Sequence, residues 1–406
     1  MQIFTIQENF EEVIADVGAG RVTTEKFWLA HRVSEQLLYF SVEVRLDNDG
    51  LLQFIGTSEQ PGVSLQFSPT ANRLYTVAIT GPASYGSPTY PVDNYTLRTP
   101  IWKHRFRFRV TLAELDTENR VILGTLDGNI HLYDTSGSRL ATIAAHYSTI
   151  THLQLFPSGK ALLSAGADFR IHIWDLDRQV PSQAARTFTK HTKTVTDIAF
   201  VGRGRNFVSS SDDGSAVLWE CSSGNAVMVF RRISRPKGAA KCVAVATCRT
   251  EPVENQFRAN MLFECLQIVV FVGYELGLVQ QYSVAQNCAT AVSWQAPAPV
   301  LRVCAFKQYV VVGCGDGLVV VWDWVGGSKH SLALSAENGI ENLKITAASD
   351  TELVLVLSNG PESLFSVQFD SNTHQFRITH LVGLSEMFRV LLVGRCVATA
   401  DEAAFF

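Results

Sequence analysis

The sequence predicts an all-β protein in which a small, mostly β N-terminal domain precedes a seven-bladed β-propeller. Three observations predict this architecture: a repeat of about 40 residues, β-type runs separated by turn residues, and a first segment that lacks the repeat. We place the N-terminal domain at residues 1–80, a linker at 81–100 and the propeller at 101–406.

The repeat is visible in six segments that align without gaps. They are DGNIHLYD (127–134), DFRIHIWD (168–175), DGSAVLWE (213–220), LGLVQQYS (276–283), DGLVVVWD (316–323) and NGPESLFS (359–366). Their ends are separated by 41, 45, 63, 40 and 43 residues. Four of these intervals fit the four-stranded blade of a WD repeat, which takes about 40–45 residues. The long interval indicates an insertion, which we interpret as an exposed loop between Arg232 and about Phe263.

Each unit shows the same order of strands. In THLQLFPSGKALLSAGADFRIHIWDLD, a first run (strand a) precedes a turn, a second run (b), a tight turn with aspartate, and a third run (c) that ends in Trp-Asp. An outer strand (d) follows. The register predicts a seventh unit around Asp401-Glu402 whose fourth strand is missing. Strand 104–110, HRFRFRV, could supply it from the other end of the propeller, because such closure leaves no open sheet edge.

The remaining segments fit this division. Residues 1–80 contain LLYFSVEVRL, LLQFIG, VSLQFSP and RLYTVAIT, which are typical of strands but lack the repeat, and 81–100 has the composition of a linker. In 104–110, Arg105, Arg107 and Arg109 alternate with phenylalanine. That alternation fits an outer strand with one face in water; nucleic-acid binding is the alternative, but no other basic stripe supports it.

Composition excludes several classes of function. The net charge of −4 lacks the positive field of a nucleic-acid binder, and no apolar run reaches the roughly 18 residues that a membrane helix needs. The first residues do not resemble a signal peptide, so we expect a cytoplasmic and nuclear protein. The eight cysteines include no C-x-x-C pair, so we expect buried free thiols, with no metal and no cofactor.

Serine, histidine and aspartate recur together in two units. The second unit contains His146, Ser164, Asp168 and Trp174, and the third contains His191, Ser209, Asp213 and Trp219. Such a set could form a catalytic triad, or a structural tetrad in which indole, hydroxyl, imidazole and carboxylate bond in series. A catalytic site needs one copy with an exposed serine, whereas here the set repeats inside β-runs. The repetition favours structure, and we find no catalytic spacing elsewhere, so the sequence predicts a protein that is not an enzyme.

Residues 146–232 carry a closer likeness. The marks are FPSG followed by LLSAGAD, then TVTDIAFVGRGRN with LWECSSG. This stretch resembles the proteasomal ATPase-associated factor family, whose fungal members are assembly chaperones of the proteasome regulatory particle. The family's arrangement, an N-terminal domain followed by a seven-bladed propeller, is the one predicted above.

The resemblance implies a protein that binds the C-terminal domain of one ATPase subunit of the proteasome base, accompanies base precursors and is a monomer when free. We expect contacts from the b–c turns and d–a loops, and the candidates are Phe169, Asp212, Tyr274 and Glu275, although each could simply shape its turn. Two other hypotheses stay open. One is an adaptor of a different complex, such as a ubiquitin-ligase substrate receptor, and the other is an enzyme with its site in the N-terminal domain or the central channel.

Overall fold

The structure is a computed structural model of the chain, and most of its described residues lie in strands. It describes residues 2–7, 9–33, 36–70, 74–80, 93–98, 102–116, 120–134, 137–176, 183–232, 238–247, 265, 267–334, 338–349, 351–359, 364–381, 392–393, 396–398 and 402–405. Within these ranges one α-helix occurs, and its nine residues are too few to cross a bilayer.

The N-terminal part combines one short helix with two groups of antiparallel strands. Its elements are β1 (Gln2–Ile6), α1 (Phe10–Gly18), β2 (Thr24–Val33), β3 (Gln36–Leu46), β4 (Leu52–Ser58), β5 (Ser64–Pro69), β6 (Leu74–Thr80) and β7 (Asp93–Arg98). Strands β1 to β4 form one sheet in sequence order, while β5, β6 and β7 pair with one another. Apolar residues on one side of α1, Phe10, Val13 and Val17, are buried, as helical periodicity requires.

Aromatic packing holds the N-terminal part together. The ring of Phe10 lies 5.4 Å from that of Phe27 and 5.2 Å from that of Tyr75, and Phe67 lies 5.3 Å from both Phe27 and Tyr75. These rings belong to a cluster of buried residues that runs from Ile6 to Leu97 and takes no member from the repeats. The buried residues of this cluster therefore form a core that is distinct from those of the repeats.

The repeats fold into antiparallel sheets of four strands, which we number as repeat sheets one to seven. After β8 (Trp102–Arg105), the first three contain β9 (Val110–Leu115), β10 (Val121–Thr125), β11 (Asn129–Tyr133), β12 (Arg139–Ala144), β13 (Ile150–Leu155), β14 (Ala161–Gly166), β15 (Ile171–Asp175), β16 (Arg186–Phe188), β17 (Val195–Val201), β18 (Asn206–Ser211), β19 (Ser215–Glu220) and β20 (Ala226–Arg231). The next three contain β21 (Ala240–Thr247), β22 (Ile268–Tyr274), β23 (Leu278–Ser283), β24 (Cys288–Gln295), β25 (Val300–Phe306), β26 (Tyr309–Cys314), β27 (Leu318–Asp323), β28 (Lys329–Ala333), β29 (Ile340–Ala348), β30 (Glu352–Asn359), β31 (Leu364–Asp370) and β32 (Gln375–Leu381). The seventh contains β33 (Leu392–Val393), β34 (Cys396–Ala398), β35 (Glu402–Phe405) and β8. The protein is therefore all-β, and its sheets are consistent with the blades of a WD-repeat propeller.

The first strands of the repeat sheets contact one another in sequence order. Strand β9 contacts β13, β13 contacts β17, and the series continues through β21, β25 and β29 to β33, which contacts β9 again. Strand β8 adds to the outer edge of the seventh sheet by pairing with β35, so that Glu402 lies opposite Arg105 and Phe405 opposite Trp102. The sheet formed by the last strands of the chain is thus completed by a strand that precedes the first repeat.

The strand predicted at 104–110 differs from the observed one. Strand β8 ends at Arg105, and Val110 already begins β9, so the predicted segment spans two strands and the turn between them. The turn forms because its two phenylalanines pack inward. Phe106 lies 5.0 Å from the ring of Tyr133, and Phe108 stacks on His131 at 4.3 Å.

The predicted linker is also only partly a linker. Its residues 93–98 form β7, which pairs in parallel with β32, so that Leu97 lies opposite His380 and Arg98 opposite Leu381. Strands β7, β6 and β5 thereby extend the sixth repeat sheet to seven strands. The N-terminal part shares a sheet with the repeats, whereas the sequence predicted a separate domain. Residues 81–92 and 99–100 lie outside the described residues.

The insertion predicted between Arg232 and about Phe263 contains a strand as well. Strand β21 lies within it and is the first strand of the fourth repeat sheet. The small side chains of Cys242, Ala244 and Ala246 are buried there, which explains why the segment lacks the bulky alternation that marks the other strands. The rest of the predicted loop, 233–237 and 248–264, lies outside the described residues.

A β-bulge recurs in six repeat sheets. It lies at the second residue of the first strand, which we call the inner strand. The unpaired residues are Thr111, Thr151, Thr196, Lys241, Leu301 and Glu341. Two of these bulges join neighbouring sheets: the hydroxyl of Thr111 donates to the carbonyl of Ile150 at 2.8 Å, and that of Thr196 donates to the carbonyl of Ala240 at 2.7 Å. A bulge bends the strand and turns its extra residue toward the next sheet.

We predict that Thr196→Val lowers the free energy of unfolding by about 1–2 kcal/mol, because the carbonyl of Ala240 then loses its partner in a buried place. Urea denaturation measures the change. Thr247→Val is the matched control, since Thr247 is exposed at the end of β21 and should tolerate valine. Equal stabilities for the two variants would contradict the role of the bulge as a contact between sheets.

Candidate protein-interaction face

The b–c turns of five repeat sheets are held by the same hydrogen bond. The first turn residue donates its backbone N–H to a carbonyl in the loop before the same sheet. The pairs are Leu126 to Arg109, Ala167 to Thr149, Asp212 to Thr194, Glu275 to Ala239 and Gly315 to Pro299, at 2.8–3.1 Å. The d–a loops and b–c turns therefore form one surface, and we call the part that belongs to repeat sheets one to four the turn face.

The third residue of these turns has a positive φ in every one of the five sheets. It is Gly128 (86°), Gly214 (81°), Gly277 (83°) and Gly317 (74°), but Phe169 (70°) in the second sheet. Glycine adopts this left-handed conformation without steric cost, whereas a bulky side chain does not. Phe169 therefore stands at a position that glycine occupies in the other four turns.

Both predicted tetrads are assembled by the structure. In the second sheet, His146 Nδ1 lies 2.9 Å from Asp168 Oδ1, His146 Nε2 lies 2.8 Å from Ser164 Oγ, and the Trp174 indole N–H donates to Ser164 Oγ at 2.9 Å. These hydrogen bonds form a series that runs from the buried tryptophan to the aspartate of the b–c turn. Because the serine oxygen accepts a hydrogen bond from the indole N–H, its own O–H can donate to the imidazole, which in turn donates to the carboxylate.

The tetrad of the third sheet has the same geometry. The corresponding distances are 3.0 Å from His191 Nδ1 to Asp213 Oδ2, 2.7 Å from His191 Nε2 to Ser209 Oγ, and 2.8 Å from Trp219 Nε1 to Ser209 Oγ. Ser164 and Ser209 are fully buried within β14 and β18. Neither hydroxyl is therefore placed to attack a substrate, and both sets tie a turn to the strands behind it.

The carboxylates of the tetrads are held in their charged form. Burial alone would raise the pKa of Asp213, but hydrogen bonds from His191, Ser215 and the backbone N–H of Thr192 outweigh burial and lower it. The pKa of Asp168 is lowered in the same way by His146 and by the backbone of Tyr147. Each charge thus stabilises its histidine and fixes the loop that follows that histidine.

A second histidine lies beside the first tetrad. The ring of His172 is 4.7 Å from that of His146, and ligand atoms of His146, Asp168 and His172 lie within 4.8 Å of one another. These three are the residues of the described chain that could hold a metal ion. However, His146 already uses both ring nitrogens and Asp168 uses both carboxylate oxygens in hydrogen bonds, so a metal ion would have to break the tetrad.

Other repeat sheets use different polar pairs. In the fourth, the hydroxyls of Tyr274 and Tyr282 are 2.7 Å apart, and in the sixth, Asn342 Nδ2 donates to Ser358 Oγ at 3.1 Å. Tyr274 is fully buried, so the prediction that it contacts a partner is wrong. Its place next to an exposed turn suggested a surface residue, but its side chain points inward to Tyr282, which occupies the tryptophan position of the repeat.

The other three predicted contacts lie on the turn face. Phe169 is 42% exposed. Asp212 forms an ion pair with Lys241, whose Nζ lies 2.8 Å from Asp212 Oδ1, and Glu275 is exposed. The turn face thus carries Phe169 in the second sheet and charged residues in the third and fourth.

Sequence reasoning missed the most exposed aromatic residue of this face. Tyr147 is 87% exposed, and the guanidinium carbon of Arg170 lies 5.3 Å from the centre of its ring. Leu126 and Leu276 are exposed apolar residues of the first and fourth turns. The signal that could have found Tyr147 is its position directly after the tetrad histidine, where the third sheet has the small polar Thr192.

We predict that Ser209→Ala lowers the free energy of unfolding by about 1–3 kcal/mol, because His191 and Trp219 then lose a buried hydrogen-bond partner. Thermal or urea denaturation measures the loss. Ser331→Ala, at an exposed position of β28, is the control and should change little. A loss below about 0.5 kcal/mol, the range of ordinary surface substitutions, would contradict the structural role.

We also predict that His172→Val weakens the pH dependence of stability. Burial and the nearby His146 lower the pKa of His172 to about 4, so the folded protein keeps this ring neutral while the unfolded chain protonates it below about 6.5. Stability is therefore lost as the pH falls from about 6.5 towards 4, and this residue contributes about 2 kcal/mol of that loss by pH 5. Denaturant titrations at pH 7 and pH 5 compare the two proteins; parallel losses would count against the prediction. Valine suits the site, because Val217 holds the same register in the third sheet.

Comparison with known proteins finds WD-repeat relatives. The WDR54 family model, which describes a WD-repeat family, matches residues 107–234. The 26S proteasome regulatory subunit RPN14 of Saccharomyces cerevisiae is 33% identical over 216 residues, which cover 50% of each chain. The protein ROOT INITIATION DEFECTIVE 3 of Arabidopsis thaliana is 26% identical over 230 residues, 52% of this chain and 48% of the relative.

A guanine nucleotide-binding protein subunit beta of Oryza sativa subsp. japonica is 27% identical over 124 residues, 29% of this chain and 32% of the relative. The matched stretches span about half or less of the length of these three relatives. They are long enough to include several repeat sheets. The resemblance indicated by the sequence is confirmed. This chain contains WD repeats, and a stretch that covers 50% of it is similar to a regulatory subunit of the yeast proteasome.

Proposed function

We propose that this protein is a non-catalytic chaperone that assists assembly of the base of the proteasome 19S regulatory particle by binding the C-terminal domain of an ATPase subunit. Similarity to a proteasome regulatory subunit over 216 residues supports a role connected with the proteasome. The assembly role and the ATPase partner come from the family resemblance. We place the protein in the cytoplasm and nucleus, as a monomer when free, without affinity for nucleic acid.

The scaffold for this function is a closed seven-bladed propeller. The circle of contacts from β9 to β33 and back to β9 supports closure, as does the pairing of β8 with β35. A closed ring has no open sheet edge and changes shape little on binding. Its recognition residues therefore come from turns and loops, which a rigid frame holds in place.

The observation that carries the proposal is the conformation of Phe169. A phenylalanine at φ 70° costs about 1–2 kcal/mol relative to the usual right-handed conformations, and four equivalent turns avoid this cost with glycine. The ring also stays 42% exposed, so full burial does not compensate for the cost. Strain of this kind is kept where a residue serves a function, and an exposed aromatic ring suits an anchor for a protein partner.

The neighbours of Phe169 extend the same surface. Thr149 Oγ1 donates to the carbonyl of Leu126 at 3.0 Å, and the carbonyl of Thr149 accepts from Ala167, so the first turn, the loop of Tyr147 and the second turn form one hydrogen-bonded unit. Its exposed apolar side chains are those of Leu126, Tyr147 and Phe169. Large aromatic side chains supply much of the binding energy of protein interfaces.

The charged residues of the turn face, in the third and fourth repeat sheets, indicate the charge of the partner. Glu275 is exposed, and Asp212 is only partly neutralised because its ion pair with Lys241 lies at the surface. Carboxylates beside an apolar anchor favour a partner helix with basic side chains. We infer that the apolar patch supplies affinity and that the carboxylates set orientation and selectivity.

The buried tetrad serines support a non-catalytic role. The alternative of catalysis through Ser164 or Ser209 requires an accessible hydroxyl, and both are enclosed by their own hydrogen bonds. An enzyme with its site in the N-terminal part or the channel would reveal itself only as turnover by the purified protein.

Affinity purification with mass spectrometry tests the proposal. We expect the tagged chain to recover proteasomal ATPase subunits and free base precursors, without mature proteasome. Recovery of ubiquitin-ligase subunits without any proteasomal ATPase would instead show that the protein is an adaptor of a different complex.

We predict that Phe169→Gly separates binding from stability. Glycine suits the left-handed turn, so the free energy of unfolding should stay unchanged or rise by up to about 1 kcal/mol, whereas recovery of the partner should fall at least tenfold. Val325→Gly, which removes another exposed apolar side chain from a turn on a different repeat sheet, is the control and should keep the partner. Unchanged partner recovery by Phe169→Gly would exclude this residue as an anchor.

A further inference from the structure

The inner strands of the repeat sheets enclose a cavity of about 310 Å³ with charged walls. Five acidic, basic or imidazole side chains line it: Glu114, His152, Asp197, Arg302 and Lys344. They come from inner strands of the first, second, third, fifth and sixth sheets. None of them belongs to the tetrads or to the turn face, so this cavity is a separate feature of the molecule.

The negative groups of the cavity already have partners. Asp197 accepts hydrogen bonds from the backbone N–H groups of Ile198 and Val243, both at 2.9 Å, and its Oδ1 lies 3.1 Å from His152 Nδ1. Burial raises the pKa of Glu114, and the positive charge of Lys344 only partly opposes this effect. The lining therefore presents little unmatched negative charge.

The positive groups are less well matched. Arg302 makes one hydrogen bond, from Nη1 to the neighbouring carbonyl of Leu301 at 2.9 Å, and within the described part of the chain no carboxylate forms an ion pair with it. A guanidinium has five N–H donors, so most of its capacity is unused. Lys344 forms an ion pair with Glu114, but the 3.6 Å from its Nζ to Glu114 Oε1 is longer than a strong charged hydrogen bond.

Arg302 and Lys344 both influence the pKa of the Cys304 thiol in the cavity wall, as does the negative charge of Asp197. The Cys304 thiol has its pKa raised to about 12, mainly by burial and by Asp197, while the positive charges of Lys344 and Arg302 oppose the rise. The thiol therefore stays neutral and cannot balance either charge. Thr151 Oγ1, another lining group, is buried with no hydrogen-bond partner among the described residues, so a further hydroxyl is free to bond to a bound molecule.

We propose that this cavity binds one small oxyanion, a phosphate or a carboxylate group, between Arg302 and Lys344. A guanidinium matches two oxygens of such a group at once, and an ammonium supplies a second charge beside it. The cavity walls on either side reduce the screening by water relative to an exposed pair of cations, which strengthens the attraction. The anion completes the hydrogen bonding of Arg302, which the protein leaves open.

Titration calorimetry and thermal unfolding test this site on the full chain. Inorganic phosphate and citrate replace chloride at constant ionic strength, so that the two anions separate a preference for phosphate from one for carboxylate. We expect saturable binding of at least one of them with one ion per chain, accompanied by a rise in Tm that chloride does not give. Responses identical to chloride for both anions would overturn the proposal.

Amino-acid substitutions test whether the anion binds in this cavity. Arg302→Gln should weaken binding of the anion at least tenfold, whereas Arg45→Gln, which removes an exposed arginine of the N-terminal sheet, should leave it unchanged. Equal losses in the two variants would mean general charge attraction and not this cavity. If Arg302→Gln does not fold, a crystal grown with selenate locates the ion through its anomalous signal: a peak beside Arg302 supports the site, and occupancy elsewhere without one there contradicts it.

Discussion

The hydrogen bond between each b–c turn and the loop before its sheet is the constraint on which the functional surface depends. It occurs in five repeat sheets at almost the same length, and in all five the third turn residue has a positive φ. Backbone geometry therefore decides where glycine must stand, and side-chain identity is free to vary at the neighbouring positions. Leu126, Asp212 and Glu275 hold the same place in their turns and differ in chemistry.

The tetrads could be predicted from sequence because their chemistry is local and repeated. Histidine, serine, aspartate and tryptophan recur at equal spacings in two units, and each needs the others once it is buried. The pair of Tyr274 and Tyr282 could not be predicted in this way. It depends on whether a side chain at the end of a strand points inward, and a single unit without a second copy gives no pattern to compare.

In the fold as well, features set by the local sequence could be predicted, whereas features set by distant segments could not. Alternation and turn residues identified the strands of the repeats, whereas the pairing of β7 with β32 joins segments that are far apart in sequence, with Leu97 opposite His380, and leaves no trace in either segment alone. Strand β21 escaped prediction for another reason. Its small residues pack against neighbouring sheets, so burial there is visible only once those sheets are in place.

Departures from the repeat fall into two kinds, and the difference between them is the basis for both proposals. Some are satisfied inside the chain: where the tetrad is missing, two tyrosines or an asparagine and a serine bond to each other. Others leave something unsatisfied, such as the left-handed Phe169 with its exposed ring and the guanidinium of Arg302 with most of its donors open. Neither exception is offset within the described chain, because the ring of Phe169 is not fully buried and Arg302 has no ion pair with a carboxylate. We propose that partners from outside the chain compensate for both, a protein at the turn face and an anion in the cavity that Arg302 lines.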